Sequence, residues 1–234
     1  MKKAGKLLVA SLAIFAANIV TAETAGWYIG AGVGQSNYHD WATKSDMLQF
    51  MDEFGPWLGI DHFTGTRSAS ADDTATAYKI FGGYTFNQYI AAELSYLDLG
   101  EVEAKSRAVG TFYDVINNSL DGDLYATAKA SVSAFTLDAK LSYPVLSFAT
   151  LMAKAGVYNA NTDLKLYAGS SISTDSYSYS KTESSSGLHY GVGVDFKVTD
   201  AIGVRAEWER LDAIEANQGK TDVDLMSASV IYRF

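Results

Sequence analysis

The feature that most constrains this chain is an apolar–polar alternation of period two, the mark of half-buried β-strands, which recurs eight times after the N-terminal leader. Trp27, Ile29, Ala31 and Val33 share one face against Tyr28, Gly30, Gly32 and Gly34. Tyr78, Ile80, Gly82, Tyr84 and Phe86 oppose Lys79, Phe81, Gly83 and Thr85. Ile90, Ala92, Leu94 and Tyr96 oppose Ala91, Glu93 and Ser95. Phe135, Leu137, Ala139 and Leu141 oppose Thr136, Asp138 and Lys140, and the run ends at Pro144, which cannot continue a ladder. Leu151, Ala153, Ala155 and Val157 oppose Met152, Lys154 and Tyr158. Leu188, Tyr190, Val192, Val194, Phe196 and Val198 oppose His189, Gly191, Gly193, Asp195 and Lys197. Ile202, Val204, Ala206 and Trp208 oppose Arg205, Glu207 and Glu209. Met226, Ala228, Val230, Tyr232 and Phe234 oppose Leu225, Ser227, Ser229, Ile231 and Arg233.

The connections between these runs alternate long and short. Long polar stretches run to about Ala75, from Gly100 to about Thr127, through a Ser/Tyr-rich segment that includes residues 173–186, and to Leu225. Brief turns lie at residues 87–89, after Pro144 and at residues 199–201. Four long loops and three short turns are the pattern of an eight-stranded antiparallel up-and-down barrel crossing an outer membrane, with short periplasmic turns and both termini at that end. A soluble barrel with its apolar face inside alternates in the same way. Four features favour lipid outside. The polar face carries opposite charges that can pair in a narrow lumen. That face is rich in glycine, alanine and serine. Aromatic residues gather near the strand ends on the apolar face, as in an interfacial girdle. The chain also stops at an aromatic residue on that face.

Residues 1–22 read as a secretory signal peptide. Lys2, Lys3 and Lys6 precede the apolar run Leu7 to Val20, and Val20, Thr21 and Ala22 offer a small-residue cleavage site. Residues 23–234 then form the barrel domain, and no later stretch approaches the ~18–20 apolar residues of a membrane helix. Without those three lysines, 15 basic residues face 27 acidic ones. So acidic a chain repels nucleic acid. It has no cysteine, so neither disulfides nor thiolate metal sites support the fold.

Four segments (Gly82 to Asn87, Ala92 to Gly100, Val204 to Trp208 and Ser229 to Phe234) resemble, in that order, the OmpA-like transmembrane domain, and the resemblance covers essentially all of residues 23–234. It implies a small barrel exported to the bacterial outer membrane, embedded in outer-membrane lipid and lipopolysaccharide. The last strand, with Tyr232 and Phe234, is similar to the signal read by the barrel-assembly machinery. Full-length members of that family continue into a peptidoglycan-binding domain, whereas this sequence ends with the barrel. Cell-wall tethering is therefore not expected. The family is also known for a lumen plugged by charged side chains, one ion pair of which can act as a gate. On the matching segments that pair falls on Glu93 and Arg205, with alternative partners at Lys140 and Asp195. Lys79, Lys154 and Glu207 add further lumen charge. Either these residues gate a pore, or they only fill and stabilise the interior, which is the simpler reading.

In the first long loop Met47, Phe50, Met51 and Phe54 recur at helical spacing until Gly55-Pro56. This predicts a short helix over residues 45–54, packed on neighbouring loops rather than resting on lipid. Residues 109–116 suggest a similar turn of helix in the second loop. Residues 173–186 suggest a hairpin prolonging the fifth and sixth strands. His39, His62 and His189 lack a His-x-Ser arrangement, and no base is placed beside a nucleophile, so no catalytic residue is expected. Asp72-Asp73 and Asp121-Gly122-Asp123 lack the other ligands of a calcium loop. No metal site and no cofactor are expected. The leading functional expectation is a structural or surface-interaction barrel, with ligands meeting its outer loops. A narrow or gated pore comes second, and a lipid A-modifying enzyme is a distant third.

Overall fold

The structure, a computed structural model, describes residues 25–39, 41–114, 116–173, 176–216 and 219–234. The expected signal peptide, residues 1–22, lies outside the described residues. The elements in chain order are β1 (Gly26–Tyr38), α1 (Lys44–Trp57), β2 (Ile60–Ala71), β3 (Thr74–Asn87), β4 (Ile90–Asp114), β5 (Ser119–Leu146), β6 (Ala149–Ser170), β7 (Ser176–Lys197), β8 (Ile202–Ala216) and β9 (Gly219–Arg233). Every sheet neighbour is antiparallel. β1 pairs with β3 on one side and β9 on the other, and β4 joins β3 to β5, so eight strands close into a ring. The ninth strand, β2, stands within the first long connection and pairs with the upper half of β4.

Period-two alternation decides the two faces of the ring. Ile29, Ile80, Leu94, Leu137, Val192 and Val230 point outward and are exposed, while Lys79, Glu93, Asp138 and Arg205 are buried inside. On β5 the outward run from Phe135 to Tyr143 spans nine residues, about the length of one tilted crossing. Aromatic rings bound this belt at both ends. Trp27 meets Tyr84 at 5.0 Å, and Tyr232 meets Phe234 at 5.1 Å, at the short-turn end. Tyr96 meets Phe135 at 5.0 Å and Tyr190 meets Trp208 at 6.1 Å at the other. No described helix is long and apolar enough to cross a membrane.

The long connections are largely strand, which differs from the polar stretches the sequence suggests. β4 and β5 remain paired from Ile90↔Leu141 to Tyr113↔Ser119. Residues 109–114 are therefore strand and not the expected turn of helix. Phe112 pairs with Leu120 on one side and Phe63 on the other. The segment eludes a pattern search because its outer face meets water and its inner face is mostly small: Ala104, Ser106 and Ala108 oppose Glu103, Lys105 and Arg107. Of the expected hairpin over residues 173–186, residues 176–186 are strand, the upper part of β7, paired with β6 up to Gly169↔Ser176.

A bulge at Gly100 makes the outer extension possible. The β4–β5 register shifts between Asp98 and Glu101, so the buried positions pass from Leu97 and Leu99 to Val102 and Ala104. Gly100 has φ +76°, and a Cβ there would lie 2.4 Å from the Thr76 carbonyl oxygen. Its carbonyl, freed from the ladder, accepts from the Tyr38 hydroxyl at 3.0 Å, and the Leu99 carbonyl accepts from Ser36 Oγ at 2.6 Å. Below the bulge β4 pairs with β3; above it β4 pairs with β2.

α1 forms where expected and runs slightly further, to Trp57. Thr43 and Asp46 make a capping box at its start, and Pro56 falls in the last turn. Its buried side chains Met47, Met51 and Phe54 pack on Ala104, Ala108, Phe112, Leu124 and Ala126. This packing holds a helix that would be marginal alone in water. Gly100→Val is expected to lower unfolding stability in lipid vesicles by about 1–3 kcal/mol through the forced left-handed backbone, with a further loss from the clash. A urea midpoint equal to that of the unmodified protein would contradict this role for the bulge.

Candidate functional site

The lumen is layered. Nearest the short-turn end lies a small apolar cluster of Tyr28, Phe81, Ala91 and Ile231. Above it come the charges, then a larger apolar plug that includes Tyr38, Leu97, Leu99, Leu211, Ile214 and Leu225. The expectation of a polar inner face therefore holds only for the charged layer. The upper inner face is apolar because it packs on itself and, further out, under α1.

All seven lumen residues singled out in the sequence are buried in this one layer. Arg205, 0 % exposed, is its centre. Its Nε and Nη2 donate to Asp195 Oδ1 and Oδ2 at 2.6 and 3.2 Å, while Nη1 donates to Glu93 Oε2 at 2.7 Å. Glu93 and Asp195 thus share one guanidinium at the same time. Lys140 sits 3.6 Å from Asp195 and 4.5 Å above the Tyr28 ring. The lysine on Glu93 is Lys154, at 3.3 Å. Lys154 also reaches Glu207 at 2.9 Å and pairs with Glu209. Lys79 donates to Glu207 at 2.5 Å and to Glu209 at 2.6 Å.

Strand register explains why these pairs span the lumen. Glu93 lies directly opposite Asp138, and Lys140 directly opposite Lys154. Like charges in register repel, so each turns to a partner on another wall. Asp195 and Arg205 are the cross-strand exception. Charges removed from water in this way depend on full pairing.

Four members of the layer were not singled out as site residues: Tyr28, Asp138, His189 and Glu209. All follow the inward alternation, but no local motif marks them. The Tyr28 hydroxyl donates to Glu93 Oε2 at 2.8 Å. Asp138 accepts from Thr136 Oγ1 at 2.8 Å and faces His189 Nδ1 at 2.8 Å; His189 Nε2 lies 3.4 Å from Glu209 Oε1.

The remaining candidates lie elsewhere. Tyr232 and Phe234 are exposed on the lipid-facing side of the last strand. His39 contacts Asp224 at 3.0 Å, and His62 contacts Asp61 at 3.3 Å while stacking on Tyr113. Asp123 pairs with Arg107 Nε at 3.0 Å, and Asp121 accepts from Thr111 Oγ1 at 2.7 Å. The Trp41 indole donates to the Asp72 carbonyl at 2.8 Å.

Comparison with known proteins gives a consistent picture. The OmpA-like transmembrane domain family model matches residues 22–234. Outer membrane protein P5 of Haemophilus influenzae is 26% identical over 217 residues, covering 91% of this chain and 52% of that protein. Outer membrane protein A of Shigella flexneri is 27% identical over 240 residues, covering 100% of this chain and 56% of that protein. The chain thus spans about half the length of the curated relatives it matches. Among solved structures, Neisserial surface protein A is 15% identical with a TM-score of 0.46, over 91% of this chain and 100% of that one.

Arg205→Ala leaves two buried carboxylates without their shared cation. The expected loss is about 3–5 kcal/mol of unfolding free energy, read from urea titration in lipid vesicles. Replacing Arg205, Glu93 and Asp195 together by apolar residues of similar volume is expected to cost much less. Equal losses in the two variants would show that the charges are not coupled.

Proposed function

This chain belongs to the OmpA-like transmembrane domain family, an outer-membrane β-barrel, and from that premise we propose that it is a closed structural barrel that presents an interaction surface outside the cell. The carrying observation is the sealed lumen. An eight-stranded ring leaves room for little beyond its own side chains, and here the charged layer is roofed by Leu97, Leu99, Leu211, Ile214 and Leu225. Bulk diffusion has no path through such a stack. Material has instead been added on the long-connection side, where β2, α1 and the upper parts of β4 to β7 rise beyond the belt. Loops and their supports carry function in such scaffolds.

In this reading outer-membrane lipid and lipopolysaccharide surround the belt, and the exposure of Tyr232 and Phe234 on the last strand supports recognition by the barrel-assembly machinery. The arrangement of Arg205 between Glu93 and Asp195 favours one second reading, a gated narrow pore, in which the guanidinium exchanges partners and the apolar roof parts.

Two measurements test the proposal. In planar bilayers the purified protein is expected to give no discrete conductance steps, and Glu93→Ala is expected to leave that trace unchanged. Steps whose size changes on Glu93→Ala would replace the closed barrel by the gate. On intact cells, a membrane-impermeant amine label is expected to mark Lys44 and Lys105 but spare Lys197 beside the 198–201 turn. The opposite labelling would reverse the orientation.

A further inference from the structure

Above the roof of the lumen and beneath α1 lies a cavity of about 200 Å³. Its floor is the top of the apolar plug, where Tyr38 and Val132 line it, and Met47 and Phe50 of α1 cover it. Trp41 and Leu164 stand at its sides, and the exposed residues Asp46 and Tyr179 mark its rim. An apolar cavity of roughly 150 Å³ holds benzene, so this one suits a single ring with a small substituent.

Most polar groups on the wall are already committed. The Tyr38 hydroxyl donates to the Leu99 and Gly100 carbonyls at 3.1 and 3.0 Å. The Trp41 indole donates to the Asp72 carbonyl, and the Asp46 carboxylate accepts from the Thr43 amide, both at 2.8 Å. Thr221 Oγ1 donates to the His39 carbonyl. The buried exception is Thr162. It is 1 % exposed, and its Oγ1 has no hydrogen-bond partner among the described residues. Alternation explains this isolation, because its inward neighbours along β6 are Ala160 and Leu164 and its β5 partner is Val132. A buried hydroxyl without a partner is costly, so a group that supplies one is bound more tightly.

Electrostatics select a neutral ligand. The Asp46 carboxylate stands at the rim, and the bordering lysines belong to the outward alternation. Lys129 and Lys165 pair across strands on the outer face, and Lys129 turns to Glu101 at 2.6 Å. Neither offers a buried counter-charge, so the desolvation of an anion would go uncompensated.

We propose that this cavity binds a neutral aromatic molecule of one ring bearing a hydroxyl group. The ring packs among Trp41, Met47, Phe50 and Leu164, and the hydroxyl meets Thr162 Oγ1, which can both donate and accept. Burial supplies most of the affinity, and Thr162 fixes the orientation. The site needs no path through the barrel, since the roof that closes the charged layer is its floor. It therefore goes beyond the choice between closed barrel and gate.

The test uses the full chain in lipid nanodiscs, with the methyl groups of Met47, Leu164 and lipid-facing Leu94 followed by NMR. 4-Methylphenol is expected to shift Met47 and Leu164 saturably, while Leu94 shows only the linear change of partition into the bilayer. 4-Methylbenzoate is expected to leave Met47 and Leu164 unmoved. Thr162→Val is expected to weaken 4-methylphenol roughly fivefold or more and to leave the affinity of p-xylene, which lacks the hydroxyl, unchanged. Ala128→Leu, which fills the cavity, is expected to abolish both. Linear shifts alike at all three methyls, saturable binding of 4-methylbenzoate, or equal effects of Thr162→Val on the two neutral ligands would each overturn the proposal.

Discussion

Closure of the backbone hydrogen-bond ring is the constraint from which the other features of this molecule follow. Hydrocarbon offers no partner for an unpaired amide or carbonyl, so a strand crossing it must be paired on both sides. Here β1 meets β9 and β4 meets β5, and the ring has no edge at belt height. Once eight strands close, the lumen is too narrow for bulk water, and inward side chains must fill it. Opposite alternation then gives the lipid its Ile, Leu and Val and the lumen its charges.

Within that narrow space register dictates pairing. Because Glu93 faces Asp138 and Lys140 faces Lys154 on adjacent strands, attraction has to act across the lumen. The ionic layer therefore ties non-adjacent walls of the ring together, with Arg205 bridging β4 and β7 from β8. Buried ion pairs of this kind contribute little net stability over an apolar filling. They make the arrangement intolerant of losing a single member, which is a constraint on specificity more than a source of strength.

Above the belt the constraint relaxes, and the architecture changes with it. Water can solvate an open edge, so the wall no longer needs eight strands. The Gly100 bulge lets β4 exchange β3 for β2, β1 stops at Tyr38, and β7 continues without β8. The gap left in the wall is partly filled by α1, whose Met47, Met51 and Phe54 cover the small inner residues of β4 and β5.

The sequence by itself determined the ring: eight alternating runs, which face meets lipid, the inward position of each lumen charge, and the helix of the first long connection. Those properties are local, since alternation and helical spacing reach only a few residues. It did not reveal how far the strands extend, because alanine against a solvated charge is a weak contrast along residues 101–127. Nor did it reveal which charges meet, since Arg205 finds Glu93 112 residues away, or the apolar roof that Leu97, Leu99 and Leu225 form together. Only the tertiary structure decided these, because register and ring closure bring distant inward residues to one height, and no spacing along the chain encodes that height.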